Sequence, residues 1–289
     1  LMATESIQDI KRRIKSVSST ERITNSMKLV SAGKLRKAKR LFEETHENSR
    51  YITNTISELF HSSDDVPRKY LDGNGKSDKT AYIVVTSSKG LCGGFNSNVI
   101  KRAHAEINSE SNTPVIVAIG SKGQEYFEKR GYDIHSSYLM APESITFLET
   151  QELMEPLIDM YDKGEIDRIV LVYTEFVNSM EQAVTLQTLL PFTVEERPEE
   201  KAPSKRTEYE PSVDVVFNYL IPKYVEMEMY SSIIESATCE HAARRMAMEN
   251  ATDNARDMLD KLNLTYNRAR QTAITNEIIE IVAGSEAQN

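Results

Sequence analysis

The sequence predicts an α/β domain inserted between two long helices, one from each end of the chain, that pair as an antiparallel coiled coil. Proline and glycine, which interrupt helices, occur nine and eleven times in the 289 residues. All nine prolines lie between Pro67 and Pro222, and nine of the glycines lie between Gly73 and Gly164. Both ends of the chain can therefore form long helices, whereas the middle must fold differently.

The first long helix is predicted from Thr4 to about Phe60, within a shaft segment that covers residues 1–66. Apolar residues recur there at alternating spacings of three and four, which is typical of the narrow seam of a coiled coil. The spacing slips near Thr20–Thr24, which predicts a local irregularity in the supercoil. The apolar residues are Ile7, Ile10, Ile14, Val17, Ile23, Met27, Val30, Leu35, Ala38, Leu41, Ile52, Ile56 and Leu59.

The middle of the chain, residues 75–195, is predicted to alternate strands with helices. The strands are short apolar runs at Ala81–Thr86, Pro114–Ile119 and Arg168–Tyr173, with a last edge strand within Met180–Leu190. The helical patterns are Ser97–Ile107, Gly120–Arg130 and Thr146–Tyr161. Such alternation predicts a Rossmann-like domain with a mostly parallel sheet that is covered on both faces.

The second long helix is predicted from about Pro211 to Val282, within a shaft segment that covers residues 209–289. It also has an apolar stripe, and small residues are dense between Ser236 and Ala255, which permits close approach of another helix. Neither long helix can bury its stripe alone. We therefore expect the two to pair with each other, and homodimerisation through the same seams is the alternative.

The composition is typical of a soluble protein rich in exposed helix, with 39% hydrophobic and 27% charged residues and no Trp. No apolar run approaches the roughly 20 residues that cross a bilayer, and we expect neither a signal peptide nor a transit peptide. Cys92 and Cys239 are far apart and lack metal-binding spacing. They indicate reduced thiols in a cytosolic compartment.

Charge is unevenly distributed along the chain, whose net charge is −9. Residues 1–40 contain eleven Lys and Arg against three acidic residues, a local balance of +8, and Lys34–Arg40 is the most basic segment. Domains that bind nucleic acid are basic overall, so this pattern argues against nucleic acid as a partner. A basic helix on an acidic protein fits an acidic partner surface, and a solvated helix face is the alternative.

The segment Ser87–Asn96, which contains Gly-Leu-Cys-Gly-Gly, is the one candidate for a ligand loop. It follows the first predicted strand and precedes a helix, where helix N-termini bind phosphates in nucleotide-binding folds. Its spacing matches neither GxGxxG nor GxxxxGK[ST], so a tight turn that packs the helix onto the sheet is the competing interpretation. The histidines and carboxylates form no catalytic or metal-binding pattern, and the sequence predicts neither catalytic residues nor a cofactor.

Three segments together resemble the γ subunit of the F-type ATP synthase. They are Ile10–Arg36, Gly90–Asn96 and Glu240–Val282. The third is the most specific, because it contains Glu-His-Ala-Ala-Arg, Ala-Thr-Asp-Asn-Ala and Asn-Arg-Ala-Arg-Gln in that order. The three segments cover both ends and the middle of the chain, so the resemblance extends over most of its length.

The resemblance implies a mechanical function without a catalytic centre. In this family the paired end helices form the central rotor shaft inside a hexamer of three α and three β subunits. Rotation of the shaft drives each β subunit through open and closed states, which couples ion-driven rotation of the c-ring to ATP synthesis or hydrolysis. The α/β domain would lie at the foot of the shaft, with the ε subunit and the c-ring. The chain would be peripheral to the cytoplasmic face of a bacterial cell membrane.

The resemblance also implies contacts with the β subunit. Arg270 and Gln271 match family positions that hydrogen-bond a β loop near the tip of the shaft. Met27 matches a position that faces the β lever region, with Lys28 beside it. We predict that the basic segment attracts acidic residues of that lever, and its two leading members are Lys34 and Arg36.

Three further residues match family positions. Glu240 and Arg244 form the Glu-x-x-x-Arg pattern of the second shaft helix. Arg245 follows where the family often has Met, which adds a charge to the shaft. Glu210 matches a position near the polar loops of the c-ring.

Two other classes of function are open to such a sequence. One is a nucleotide-binding α/β enzyme that uses the Gly90–Gly94 loop and dimerises through its long helices. The other is a coiled-coil scaffold that binds an acidic partner without rotating. Nucleotide binding by the isolated chain separates the first alternative from a rotor, and co-purification with α and β subunits separates the second.

Overall fold

The computed structural model describes residues 6–62, 66–73, 75–178, 181–192 and 210–286. The α-helices are α1 (Ile7–Ser62), α2 (Phe95–Ser109), α3 (Ser121–Glu128), α4 (Phe147–Lys163) and α5 (Val213–Glu286). The strands are β1 (Lys79–Val85), β2 (Thr113–Ile119), β3 (Ile134–Tyr138), β4 (Arg168–Phe176) and β5 (Gln182–Leu190). Two short 3-10 helices, Arg68–Tyr70 and Pro142–Ser144, precede β1 and α4.

The two long end helices and the mixed α/β sheet between them confirm the predicted fold class. Helix α1 has 56 residues and α5 has 74, and both follow the predicted segments closely. Within the described residues, no helix is long and apolar enough to cross a membrane.

The five strands form one sheet in the order β3-β2-β1-β4-β5. Strands β1 to β4 pair in parallel, and β5 pairs with β4 in the antiparallel direction. The parallel sheet and the edge strand were both predicted from the sequence. Strand β3 was missed, because Ile-His-Ser-Ser-Tyr contains few apolar residues and pairs only at the sheet edge, where it is half exposed.

Contacts divide the chain into two compact units. Unit 1 comprises residues 1–31 and 245–289, and unit 2 comprises residues 32–244. Both long helices therefore contribute to both units. The predicted domain boundaries, 1–66, 75–195 and 209–289, remain a prediction.

In unit 1, α1 and α5 run in opposite directions. Glu21 binds Arg256, and Lys28 lies 3.8 Å from Glu249. Between these pairs, the buried Thr252 hydroxyl donates to the Thr24 hydroxyl at 2.8 Å. Each step forward along α1 is thus matched by a step back along α5, as an antiparallel pair requires.

In unit 2 the helices α1 and α5 are again antiparallel, and the core is larger. Ser49 of α1 donates to Glu228 of α5, and the Phe60 and Phe217 rings pack 5.0 Å apart between the same helices. These helices share one face of the sheet with α4, whereas α2 covers the other face with α3.

Helix α5 is more deeply buried in unit 2 than a narrow coiled-coil stripe predicts. All residues from Ser231 to Ala242 are buried, including those on the polar side of the expected stripe. The sheet packs against one side of this stretch and α1 against another. Serine, threonine, alanine and cysteine supply seven of its twelve residues, and such short side chains let a helix be enclosed on several sides.

Candidate functional site

The buried ion pair between Glu240 and Arg244 is the centre of the candidate site. The two residues are one turn apart on α5 and are only 4% and 8% exposed. The guanidinium Nη1 lies 2.7 Å from Glu240 Oε1. Burial raises the pKa of Glu240, and the Arg244 charge partly offsets that effect. The Glu-x-x-x-Arg pattern therefore marks a buried structural pair.

Arg244 also holds the loop between β1 and α2. Its Nη2 donates to the carbonyl oxygens of Lys89 and Gly90, both at 3.3 Å, and its Nε donates to Gly90 O at 3.3 Å. One side chain of α5 thus fixes the loop that follows the central strand. In this contact the loop contributes carbonyl oxygens, which accept hydrogen bonds. Such groups suit a cation.

Within the loop, the polar groups bind one another. The Ser87 N–H donates to Asn96 Oδ1 at 2.8 Å, and Asn96 Nδ2 donates to Ser87 Oγ at 2.7 Å. Leu91 takes the left-handed φ of 62°, which exposes its side chain, while Cys92 beside it is buried. This geometry favours the tight-turn interpretation of the loop over a phosphate-binding one.

The site residues predicted from the resemblance lie in different places. In unit 1, Arg270 and Gln271 are exposed and Met27 and Lys28 are half-buried. In unit 2, Arg36 and Glu210 are exposed, and Lys34 forms an ion pair with Glu143 at 2.8 Å. Arg245 in unit 1 pairs with Glu249 at 3.3 Å.

Sequence reasoning missed Glu143 and His241. His241 is 1% exposed, and its Nε2 lies 3.4 Å from Glu143 Oε1. His241 follows the recognised Glu240, but nothing in the sequence relates it to a glutamate 98 positions earlier, which only the fold brings near. Among the described residues, no group of three or more His, Cys, Asp or Glu side chains is placed to hold a metal ion.

We expect Glu235, a buried residue of α5, to make the stability of the chain depend on pH. Burial, and then the charges of Glu175 and Glu228, raise its pKa to about 7, although its Oε1 accepts the Phe176 N–H at 2.9 Å. The unfolded carboxyl titrates near pH 4.3. Between these values the folded state holds a proton that the unfolded state has lost, so this group's contribution to stability falls as pH rises to about 7.

Glu235→Gln should therefore be more stable than wild type at pH 8, by about 3–4 kcal/mol, and nearly equal to it at pH 4. Urea unfolding at both pH values measures the difference. The exposed Glu181→Gln is the control, with no pH-dependent gain expected. An equal gain for both variants would show that net charge, not burial, is the cause.

Comparison with known proteins establishes the family. The family model described as ATP synthase matches residues 6–288. The ATP synthase gamma chain of Alkaliphilus metalliredigens is 44% identical over 97% of this chain and 98% of its own length. This chain belongs to the ATP synthase gamma chain family. The family suggested by the three sequence segments is thereby confirmed.

Other members of the family are similar over their full length. The gamma chain of Pelotomaculum thermopropionicum is 42% identical, covering 98% of this chain and 99% of that protein. The gamma chain of Acetobacterium woodii, described as sodium ion specific, is 40% identical and covers 99% of each.

The solved rotor of the Euglena gracilis mitochondrial ATP synthase has the same fold, with a TM-score of 0.69 and 17% identity over 93% of this chain and 98% of that one. The central stalk and c-ring structure from Tetrahymena thermophila contains a chain with a TM-score of 0.59 and 23% identity, covering 79% and 99%.

Proposed function

We propose that this chain is the central rotor shaft of an F-type ATP synthase. It would couple ion-driven rotation of the c-ring to ATP synthesis or hydrolysis at the β subunits. The antiparallel pairing of the two chain ends in unit 1 carries this proposal. A shaft built from two paired helices resists torsion better than a single helix. Both helices adjoin the same α/β domain in the sequence.

The chain itself would be a non-catalytic subunit. Its one candidate ligand loop is occupied by internal hydrogen bonds and by Arg244. The buried charges of the site are paired within unit 2, which suits a part that keeps its shape under load. Its partners would be the three α and three β subunits, the ε subunit and the c-ring, at the cytoplasmic face of a bacterial membrane.

Contacts with the β subunits would come from exposed or half-exposed residues of both ends. Arg270 and Gln271 present polar side chains, and Met27 and Lys28 lie on α1. Arg36 supplies an exposed positive charge for an acidic lever. Glu210, exposed three residues before the start of α5, is the candidate contact with the c-ring.

Co-expression with the α and β subunits of the same organism tests the proposal. We expect a stoichiometric complex of three α, three β and one copy of this chain, whose ATP hydrolysis rotates a bead attached to the α/β domain. The isolated chain should bind no ATP at millimolar concentration. Nucleotide binding without assembly would instead support the enzyme alternative.

Arg270→Ala combined with Gln271→Ala should reduce rotation torque while leaving the thermal midpoint of the isolated chain unchanged, because both side chains are exposed. The matched control is Arg268→Ala, an exposed arginine on the same helix. Equal torque loss in the control would contradict a specific contact at Arg270 and Gln271.

A further inference from the structure

Glu143 connects both long helices to the α/β domain within unit 2. It lies in the 3-10 helix Pro142–Ser144, between β3 and α4. Its Oε1 is 2.8 Å from Lys34 Nζ on α1 and 3.4 Å from His241 Nε2 on α5. The Glu143 carboxylate thus contacts the ammonium group of Lys34 on α1 and the imidazole ring of His241 on α5.

The local sequence holds Glu143 in place. Pro142 begins the 3-10 helix, and the Thr146–Glu149 capping box starts α4 directly after it. A capping box satisfies free backbone N–H groups at a helix start and so fixes the entry of the chain. The glutamate is therefore presented from a well-defined turn.

Arg244 determines which ring nitrogen of His241 carries the proton. Its Nη1 lies 3.4 Å from His241 Nδ1. A guanidinium can only donate, so Nδ1 accepts in this contact and the ring proton is assigned to Nε2. Nε2 faces Glu143 Oε1 at 3.4 Å without forming a regular hydrogen bond among the described residues. The close approach of His241, then the hydrogen bond from Lys34, holds the pKa of the Glu143 carboxyl well below its usual range. The carboxylate is thus charged at neutral pH.

A pocket of about 320 Å³ lies beside the contact, and Ala38, Leu41, Ile234 and Ala237 line its apolar walls. It is large enough to admit water. Lys34, Glu143 and His241 line the same pocket, so the polar contacts of Glu143 join the three elements where the apolar core ends.

We propose that Glu143 is a positioning residue that fixes the α/β domain to α1 through Lys34 and to α5 through His241. This rests on the proposed rotor function, because torque that enters at the α/β domain must reach both helices. In this proposal Lys34 forms an intramolecular ion pair. Arg36, its exposed neighbour, is then the residue that contacts an acidic lever of the β subunit.

A double-mutant cycle on the full-length chain separates these roles for Lys34. Lys34→Gln should lower the thermal midpoint by about 2 °C, and Glu143→Gln should lower it further because it also loses the His241 contact. The double variant should lose no more than Glu143→Gln alone. Arg36→Gln should change the thermal midpoint by the same amount with and without Glu143→Gln. Additive losses for Lys34 and Glu143 would overturn the intramolecular role.

Rotation in the assembled complex tests the positioning role itself. With the shaft tip held by the α and β subunits, angular fluctuations of a bead on the α/β domain should widen in Glu143→Gln. They should not widen in Glu155→Gln, an exposed carboxylate of α4 that gives the same change of charge. Unchanged fluctuations in an assembled Glu143→Gln complex overturn the positioning role alone. A wild-type chain that fails to assemble overturns the rotor function as well.

Discussion

Replacing Arg244 with methionine is expected to destabilise the chain by about 3–5 kcal/mol, because Glu240 would remain buried without its cation. Glu240 is 4% exposed, and its Oε2 already has no hydrogen-bond partner among the described residues. The change also removes the donors that hold the carbonyl oxygens of Lys89 and Gly90. Urea unfolding at pH 7.5 measures the loss.

Two variants test the cause of this loss. Arg245→Met removes the neighbouring arginine, whose pair with Glu249 is partly exposed, and should cost at most about 0.5 kcal/mol. Adding Glu240→Gln to Arg244→Met should restore part of the stability, because the buried charge is then absent. Equal losses at Arg244 and Arg245 would contradict a role for burial.

Gly120→Ala is expected to destabilise unit 2 by more than about 4 kcal/mol, enough to reduce the soluble yield of the full chain. Gly120 lies between β2 and α3 with a φ of 85°, and an added Cβ would lie 2.1 Å from the carbonyl oxygen of Thr86. Thr86 cannot move away easily. Its N–H donates to Ile119 O at 2.7 Å, and its hydroxyl accepts the Gly123 N–H at 2.8 Å.

Gly131→Ala is the matched control for this prediction. Its φ of 80° is nearly the same, but no heavy atom lies within 4 Å of the added Cβ. It should therefore show the backbone strain alone, about 1 kcal/mol. Thermal unfolding of both variants separates the two effects, and similar midpoints would show that the close approach to Thr86 is relieved.

The helices and most strands follow from local patterns. Apolar spacing and the positions of proline and glycine gave α1 and α5 to within a few residues, since helix formation depends on neighbours three and four positions apart. Strand β3 was missed because Ile134–Tyr138 contains few apolar residues. Its place depends on β2, which no local pattern of Ile134–Tyr138 encodes.

The candidate site was only partly predictable. Glu240 and Arg244 belong to a motif, so their pairing across one helical turn could be inferred. The partner loop of Arg244 lies 154 positions earlier in the chain, and Glu143 lies 109 positions after Lys34. Contacts at such separations depend on how the sheet and the long helices pack.

The sequence by itself determined the family, the two long helices and the parallel sheet between them, because each depends on a motif or on short-range periodicity. Only the tertiary structure decided what the charged residues do. It enclosed Ser231–Ala242 on several sides, paired Glu240 with Arg244 away from water, and placed Glu143 between the two helices. The physical reason is that burial and long-range contact set the energy of a charge, and neither is a property of neighbouring residues.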